Sequence, residues 1–202
     1  MPRAALVLTL LWITCLFVVR VALQWWRTGR TGLIGTTADA GAVAWCSSGI
    51  TSVGLICAGT IPFAAGLGLP GSTLAFQSPG VHRIGITLAL LGLGGAFWAQ
   101  LAMGRSWRIG VDPNERTDLV TDGIFRWVRN PIYSGLLLYC GGMILVLPTA
   151  WAVFAAGALW LGIQLHVRYA EEPYLLRVQG EPYRRYAARV GRFVPGVGRL
   201  RD

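Results

Sequence analysis

The chain has 202 residues, of which 54% are hydrophobic and only 13% are charged, and its formal net charge is +9. Because soluble domains carry charge on about a quarter of their residues, this composition excludes an ordinary soluble protein. The positive charge lies in short segments between apolar stretches, so membrane topology explains it better than nucleic-acid binding does.

Five apolar stretches approach the length of about 20 residues that an α-helix needs to cross a membrane. None of them contains an acidic residue, and a single arginine, Arg20, lies within one. Lipid offers no partners to an open backbone, so these stretches are expected to be helices. The sequence therefore predicts an all-α fold, an integral membrane helical bundle with a C-terminal helical hairpin and a cytoplasmic amphipathic tail. The predicted transmembrane helices cover residues 4–26, 41–69, 85–103, 132–147 and 150–167.

The first stretch shares a basic start, Arg3, with signal peptides. Its apolar length exceeds the roughly 7–15 residues of a signal core and no small-residue cleavage site closes it, so a retained helix is expected. Small residues are frequent up to residue 84, as in membrane helices that pack closely. We therefore predict a transmembrane scaffold over residues 1–84 and a functional core over residues 85–202.

The arginines predict the orientation of the chain. They are frequent between the first and second stretches, between the third and fourth, and after the fifth, whereas the other connections offer only Arg83. Because basic loops stay on the cytoplasmic side, we expect the N-terminus outside and the C-terminus in the cytoplasm. In a bacterium this membrane would be the plasma (inner) membrane.

Several weaker signals carry no function. Gly66-Leu-Gly68-Leu-Pro-Gly71 matches the dinucleotide fingerprint, but no strand–helix unit surrounds it. His82 and His166 are interpreted as interfacial polar residues. The four cysteines are scattered without metal-ligand spacing and are expected to be buried and inert, so no metal site is expected.

The polar residues that remain flank the predicted hairpin. Before it, Gly123 permits a turn, and Asn130-Pro131 is typical of a helix start, with Asn130 as the capping residue. After it, Arg168 and Glu172 are four residues apart and would share a helix face. A proline at position 173 predicts a kink or break at this point, followed by an amphipathic tail over residues 174–190.

Together, the two segments resemble the isoprenylcysteine carboxyl methyltransferases and the related phospholipid N-methyltransferases. The shared pattern is a Leu-Val pair and a glycine, an Arg-x-Pro-x-Tyr run, an apolar hairpin, an arginine before Glu-Glu, and a Gly-x-x-Tyr-x-x-Tyr tail ending near a proline. The resemblance covers roughly residues 104–198. The matching residues are Leu119, Val120, Gly123, Arg129, Pro131, Tyr133, Arg168, Glu171, Glu172, Leu175, Gly180, Tyr183, Tyr186 and Pro195.

The resemblance implies a methyltransferase core over residues 85–202 that binds S-adenosylmethionine and receives a lipid-like or prenylated acceptor from the bilayer. Glu172 would hold the ammonium group of this cofactor, and Arg168 would face the substrate and orient an anionic nucleophile. The implied partners are this acceptor and membrane lipids, without nucleic acid or metal. The residues implied to line the cofactor site are Gly110, Thr117, Leu119, Val120, Phe125, Asn130, Pro131, Tyr133 and Glu172.

Three positions depart from the family pattern. Thr117 and Asn130 stand where histidine is frequent, and Phe125 stands where tyrosine is frequent. Because of these changes, the sequence does not determine the methyl acceptor, whose nucleophilic atom is oxygen, sulfur or nitrogen. The alternatives to a methyltransferase are an NADPH-dependent membrane reductase of the sterol-reductase type and a non-enzymatic lipid-binding protein.

Overall fold

The computed structural model describes residues 2–35, 41–68, 78–104, 107, 109–110 and 119–200. A short 3₁₀ turn, Gly123–Arg126, precedes the predicted hairpin, and two short strands, β1 (Leu33–Gly35) and β2 (Ile109–Gly110), pair in parallel. The helices are α1 (Pro2–Thr28), α2 (Gly41–Gly66), α3 (Pro79–Ala102), α4 (Pro131–Val146), α5 (Ala150–Gln179) and α6 (Glu181–Arg189).

The described part of the chain confirms the predicted helical membrane bundle. Four of its helices, α1, α2, α3 and α5, are long and apolar enough to cross a membrane. The fourth predicted stretch forms α4, which is apolar but has only 16 residues. At 1.5 Å per residue it extends about 24 Å, less than the hydrocarbon core of about 30 Å. The orientation of the bundle and its division into scaffold and core stay predictions.

Helices α3 and α4 approach each other through glycines. Gly85 and Gly92 of α3 face Gly142 and Gly135 of α4. A Cβ atom added at Gly142 would lie 2.6 Å from the Gly85 carbonyl oxygen, closer than any side chain tolerates. Small residues therefore let the two backbones touch, as expected where lipid provides no hydrophobic drive between helices.

Helices α2 and α5 pack in the same way. A Cβ atom at Gly54 of α2 would lie 2.6 Å from the Leu159 backbone nitrogen, and Gly162 of α5 meets Thr51. The buried core then fills the space between these two helix pairs and α1 with apolar side chains, among them Trp12 and Tyr139, whose rings stack. The glycine contacts thus fix which helices are neighbours.

A wide π turn, Thr14–Val19, interrupts α1. The Leu16 carbonyl in this turn accepts a hydrogen bond from the side-chain amide of Gln100 on α3, at 3.4 Å. Beyond the turn, the fully buried Arg20 donates to the Gly104 carbonyl at 2.8 Å and lies 4.3 Å from the centre of the Trp107 ring. Because Gly104 follows the C-terminus of α3, the arginine charge also complements that helix dipole.

A second π turn, Val167–Glu171, lies within α5 where the sequence predicts a kink or break. The Glu172 N–H donates to the Val167 carbonyl, five residues earlier, and the wider turn accommodates Pro173, which has no N–H of its own. The helix therefore continues to Gln179 instead of breaking. Of the two residues expected to share a helix face, Arg168 is exposed and Glu172 is buried.

Candidate functional site

A cavity of about 310 Å³ lies among all six helices and the loop before α4. This volume is in the range of about 300–1,000 Å³ that small-molecule sites occupy. Helices α1 and α2 contribute apolar side chains to its wall, and the end of α3, the loop, α4 and α5 contribute others: Trp12, Leu16, Phe17, Leu55, Met103, Leu119, Val120, Pro131, Ile132, Leu136 and Leu175. The polar members are Thr51, Gln100, Arg129, Asn130, His166, Glu171 and Gln179. Aromatic rings complete the wall: Trp107, Phe125, Tyr133, Tyr174, Tyr183 and Tyr186.

The structure brings six of the predicted cofactor-site residues to this cavity. They are Leu119, Val120, Phe125, Asn130, Pro131 and Tyr133. Gly110 lies in β2, and Thr117 lies outside the described residues. Arg168 and Glu172 are also absent from the wall, whereas Glu171 belongs to it. The cavity wall thus includes residues of the predicted loop and helix start and one of the two adjacent glutamates, and their part in cofactor binding stays a prediction.

Glu172 lies instead in a buried ion-pair cluster with two arginines. Its Oε1 accepts from Arg129 at 2.6 Å and from the Arg192 Nε at 2.7 Å, and its Oε2 accepts from Arg192 at 2.8 Å. The hydrogen bonds to Glu172 raise the pKa of Arg192, which keeps this guanidinium charged. Both carboxylate oxygens thus already have charged donors, so Glu172 organises the wall without lining it.

Arg129 also joins the loop before α4 to the C-terminal tail. Its guanidinium donates to the Ala187 carbonyl at 2.7 Å and to the Gly198 carbonyl at 3.0 Å, and its backbone N–H donates to the Gly191 carbonyl at 2.8 Å. Arg129 is only 6% exposed, so these bonds form out of water. Hydrogen bonds to charged groups are stronger than neutral ones, and the tail is therefore held firmly against the loop.

Asn130 differs from its predicted role at the start of α4. Pro131 opens the helix as expected, but the Asn130 side chain makes no capping bond and donates to the Arg192 carbonyl at 3.2 Å. Ser134, one turn into the helix, similarly donates to the Phe193 carbonyl at 2.6 Å. The tail competes for these side chains, so the first turn of α4 is fixed by the tail more than by its own cap.

Two tyrosines of α6 close the same side of the cavity. The Tyr186 hydroxyl donates to the Phe125 carbonyl at 2.6 Å. The rings of Tyr183 and Tyr186 meet edge to face, with their centres 6.2 Å apart. Burial raises the pKa of Tyr186 to about 12 and raises that of Tyr183 as well. Both hydroxyls are therefore neutral at ordinary pH.

The chemistry of the wall suits a cationic, hydrogen-bonding ligand. Glu171 provides a carboxylate, and the surrounding aromatic rings attract positive charge through their faces. Gln100 is only 5% exposed, and its Oε1 has no hydrogen-bond partner among the described residues. Buried polar atoms are normally paired, so a ligand that brings an N–H or O–H group would complete this acceptor. The described residues contain no group of three or more side chains suited to hold a metal ion.

Comparison with known sequences decides the family. The profile of the family described as phospholipid methyltransferase matches residues 81–181, half of the chain. The chain belongs to the phospholipid methyltransferase family. This confirms the predicted resemblance, and the matched segment begins in α3 and ends at the start of α6.

Curated relatives of this family member carry more specific names. The chain is 32% identical over 120 residues to protein-S-isoprenylcysteine O-methyltransferase B of Arabidopsis thaliana, which is 58% of this chain and 60% of that protein. It is 29% identical over 121 residues to a probable protein-S-isoprenylcysteine O-methyltransferase of Oryza sativa subsp. indica, which is 58% of this chain and 62% of that protein. The chain thus spans about 60% of the length of the curated relatives it matches.

Sequence reasoning missed several residues of this phospholipid methyltransferase family member. Arg129 was part of the predicted pattern, but its contacts with Glu172 and the tail have no local signal. Arg192 was counted only as a basic tail residue. His166 was interpreted as interfacial, yet it lines the cavity because α5 places it opposite α2. The adjacent carboxylates Glu171 and Glu172 were the available clue to a buried ion pair. Neighbouring residues of a helix point in different directions, so only one of the two lines the cavity.

Proposed function

We propose that this chain transfers a methyl group from S-adenosylmethionine to the polar head of an amphipathic, lipid-like or prenylated acceptor at the membrane. The observation that carries the proposal is the single cavity that combines a polar, carboxylate-bearing wall with an apolar wall. Membership of the phospholipid methyltransferase family supports the reaction type. The names of the curated relatives support a prenylated acceptor in particular.

The residues from the loop and from α4 to α6 fit the methyl donor. When bound, S-adenosylmethionine supplies an electrophilic methyl group on a positively charged sulfur. Glu171 would attract the positive charges of the donor, while Phe125 and Tyr133 offer ring faces to the sulfonium and the adenine. Leu119 and Val120 add apolar contact beside them. This assignment replaces Glu172 by Glu171 as the residue that meets the donor, because Glu172 is already bound by two arginines.

The residues from α1 and α2 fit the acceptor. Trp12, Leu16 and Leu55 present apolar side chains to the cavity, and both helices belong to the apolar, membrane-crossing part of the bundle. An acyl or prenyl chain gains about 0.8 kcal/mol for each buried CH₂ group, so such a wall selects amphipathic acceptors over soluble metabolites. The role of Arg168 at the acceptor stays a prediction, since its exposed side chain does not belong to the cavity wall.

The protein would accelerate the reaction mainly by positioning. Methyl transfer is a displacement at carbon, so alignment of donor and acceptor and exclusion of water matter more than a strong acid. The cluster of Glu172 with Arg129 and Arg192 locks the tail over the loop, and Tyr186 fixes the Phe125 backbone. These contacts hold the wall rigid, so that the two ligands meet in one orientation.

The experiment that tests the proposal compares the binding of the methyl donor with the binding of its demethylated product. S-adenosylmethionine carries one more positive charge than S-adenosylhomocysteine, because its sulfur is a sulfonium. We expect Glu171→Gln to weaken S-adenosylmethionine binding about tenfold and S-adenosylhomocysteine binding by less, since loss of one charged contact is worth about 1.4 kcal/mol or more. Isothermal titration of the protein in detergent measures both affinities.

The matched control is Glu181→Gln. Glu181 lies on the exposed side of α6, where its ion pairs with described residues are the surface pairs with Arg184 and Arg185, so its replacement should leave both affinities unchanged. Titration of the same detergent-purified protein with NADPH tests the reductase alternative. Binding of NADPH without either sulfur ligand would reject the methyltransferase proposal.

A further inference from the structure

His166 and Ser47 form a polar pair on the cavity that the proposed reaction does not yet use. The Nδ1 atom of His166 lies 3.5 Å from the Ser47 hydroxyl, and His166 lines the cavity. Ser47 is fully buried on α2, and His166 is the last residue of the regular α-helical part of α5 before its π turn. Such wide turns frequently occur at functional sites because they redirect side chains.

The contacts of Ser47 indicate which ring nitrogen of His166 carries the proton. The Ser47 hydroxyl donates its single hydrogen to the Ala44 carbonyl at 3.0 Å. This contact is shorter than the 3.5 Å to His166 Nδ1, so we assign the hydroxyl as an acceptor towards His166 and the proton of the neutral imidazole to Nδ1. The second ring nitrogen, Nε2, then carries a lone pair and is the basic atom of a side chain that lines the cavity.

We infer that His166 accepts a proton from the methyl acceptor, and that this acceptor is an amphipathic molecule with a protic nucleophile, a thiol or an amine. The inference rests on the proposed function and narrows its substrate class. A carboxylate acceptor reaches the site already ionised and needs no base. A thiol or amine must lose one proton, and a positioned base contributes about 10²–10⁴-fold to such a step.

The step balances without a further reagent. The acceptor's S–H or N–H proton moves to Nε2 while a new bond forms between the acceptor atom and the methyl carbon. The bond from this carbon to the sulfonium sulfur breaks, and its electron pair stays on that sulfur as S-adenosylhomocysteine. The imidazolium then releases its proton to water when the products leave. One proton is produced for each methyl group transferred.

The other titratable or charged groups of the cavity wall come from several elements. Helices α2 and α3 contribute Thr51 and Gln100, which do not titrate. The remaining groups are Glu171 on α5, Tyr133 on α4, Arg129 before α4, and Tyr174, Tyr183 and Tyr186 in the C-terminal part. Within the described wall, His166 is thus the imidazole side chain, the type that most often acts as a general base.

The test uses His166→Asn, because the asparagine Nδ2 takes the position of Nδ1 and keeps a donor for Ser47, whereas Nε2 is lost. We expect unchanged S-adenosylhomocysteine affinity and unfolding temperature, with turnover of a prenylated thiol or an aminophospholipid reduced about 100-fold at pH 7. The thiol defect should shrink above pH 9, since free thiols ionise near about 8.5. Any turnover of a prenylcysteine carboxylate should fall much less, because this acceptor has no proton to lose.

A second readout does not depend on turnover. In the complex with S-adenosylhomocysteine and the prenylated thiol, wild type should show ultraviolet absorbance of the thiolate at pH 7, and His166→Asn should not. A loss of less than about tenfold on the protic acceptors, an equal loss on the carboxylate, or a thiolate band that persists in the variant would overturn the role of His166. Turnover by wild type of the carboxylate alone would overturn it too. Failure of wild type to bind either sulfur ligand would instead reject the proposed function, and this inference with it.

Discussion

Glu172→Gln is expected to lower the free energy of unfolding by about 3 kcal/mol and to weaken ligand binding as a consequence. The side chains of Glu172 and Arg129 are only 7% and 1% exposed, and their ion pair is 2.6 Å long. Removal of the carboxylate charge leaves two arginines, Arg129 and Arg192, without their common counter-ion. Breaking a buried pair by changing one partner is much more destabilising than losing a surface pair. Thermal unfolding in detergent measures the effect.

The control is again Glu181→Gln, which removes a carboxylate that also contacts two arginines. Its ion pairs with Arg184 and Arg185 are more than half exposed and span 3.8 and 3.3 Å. We therefore expect little change in the unfolding temperature. Equal stability of the two variants would show that the buried cluster does not hold the tail, and Glu172 would again be a candidate for direct ligand contact.

Gly142→Ala is expected to destabilise the bundle by about 2–3 kcal/mol or to prevent its folding, whereas Gly141→Ala is expected to be neutral or mildly stabilising. The two glycines are neighbours in α4. A Cβ atom at Gly142 would lie 2.6 Å from the Gly85 carbonyl oxygen on α3, but a Cβ atom at Gly141 would meet nothing within 4 Å. Backbone atoms cannot rotate away as side chains do, so the two helices must separate. Unfolding temperature and elution of the purified variants measure the difference.

This pair separates helix packing from helix propensity. Alanine is favoured over glycine in a helix by about 1 kcal/mol, and this gain applies equally to both positions. The expected difference therefore comes from the contact with α3 alone. If Gly142→Ala were as stable as Gly141→Ala, the close approach of α3 and α4 would be wrong.

The periodic and compositional features of the sequence determined the helices and the chemistry of the loop. Apolar runs without acidic residues can only become helices in lipid, so the bundle followed from composition. Phe125, Asn130 and Tyr133 were implied by their positions in the family resemblance, and all three line the cavity. Length was the weaker criterion, since it did not distinguish the short α4 from a full span.

Tertiary structure alone decided which of the polar groups meet. The sequence placed Arg168 and Glu172 on one face by counting four residues, but in the structure Arg168 is exposed, Glu172 is buried, and the neighbouring Glu171 lines the cavity. The π turn at Val167–Glu171 depends on how α5 rearranges its backbone hydrogen bonds where Pro173 donates none, which residue spacing does not encode. Burial likewise decided the fate of Glu172: two arginines distant in sequence, Arg129 and Arg192, reach its carboxylate only after the tail folds back over the loop.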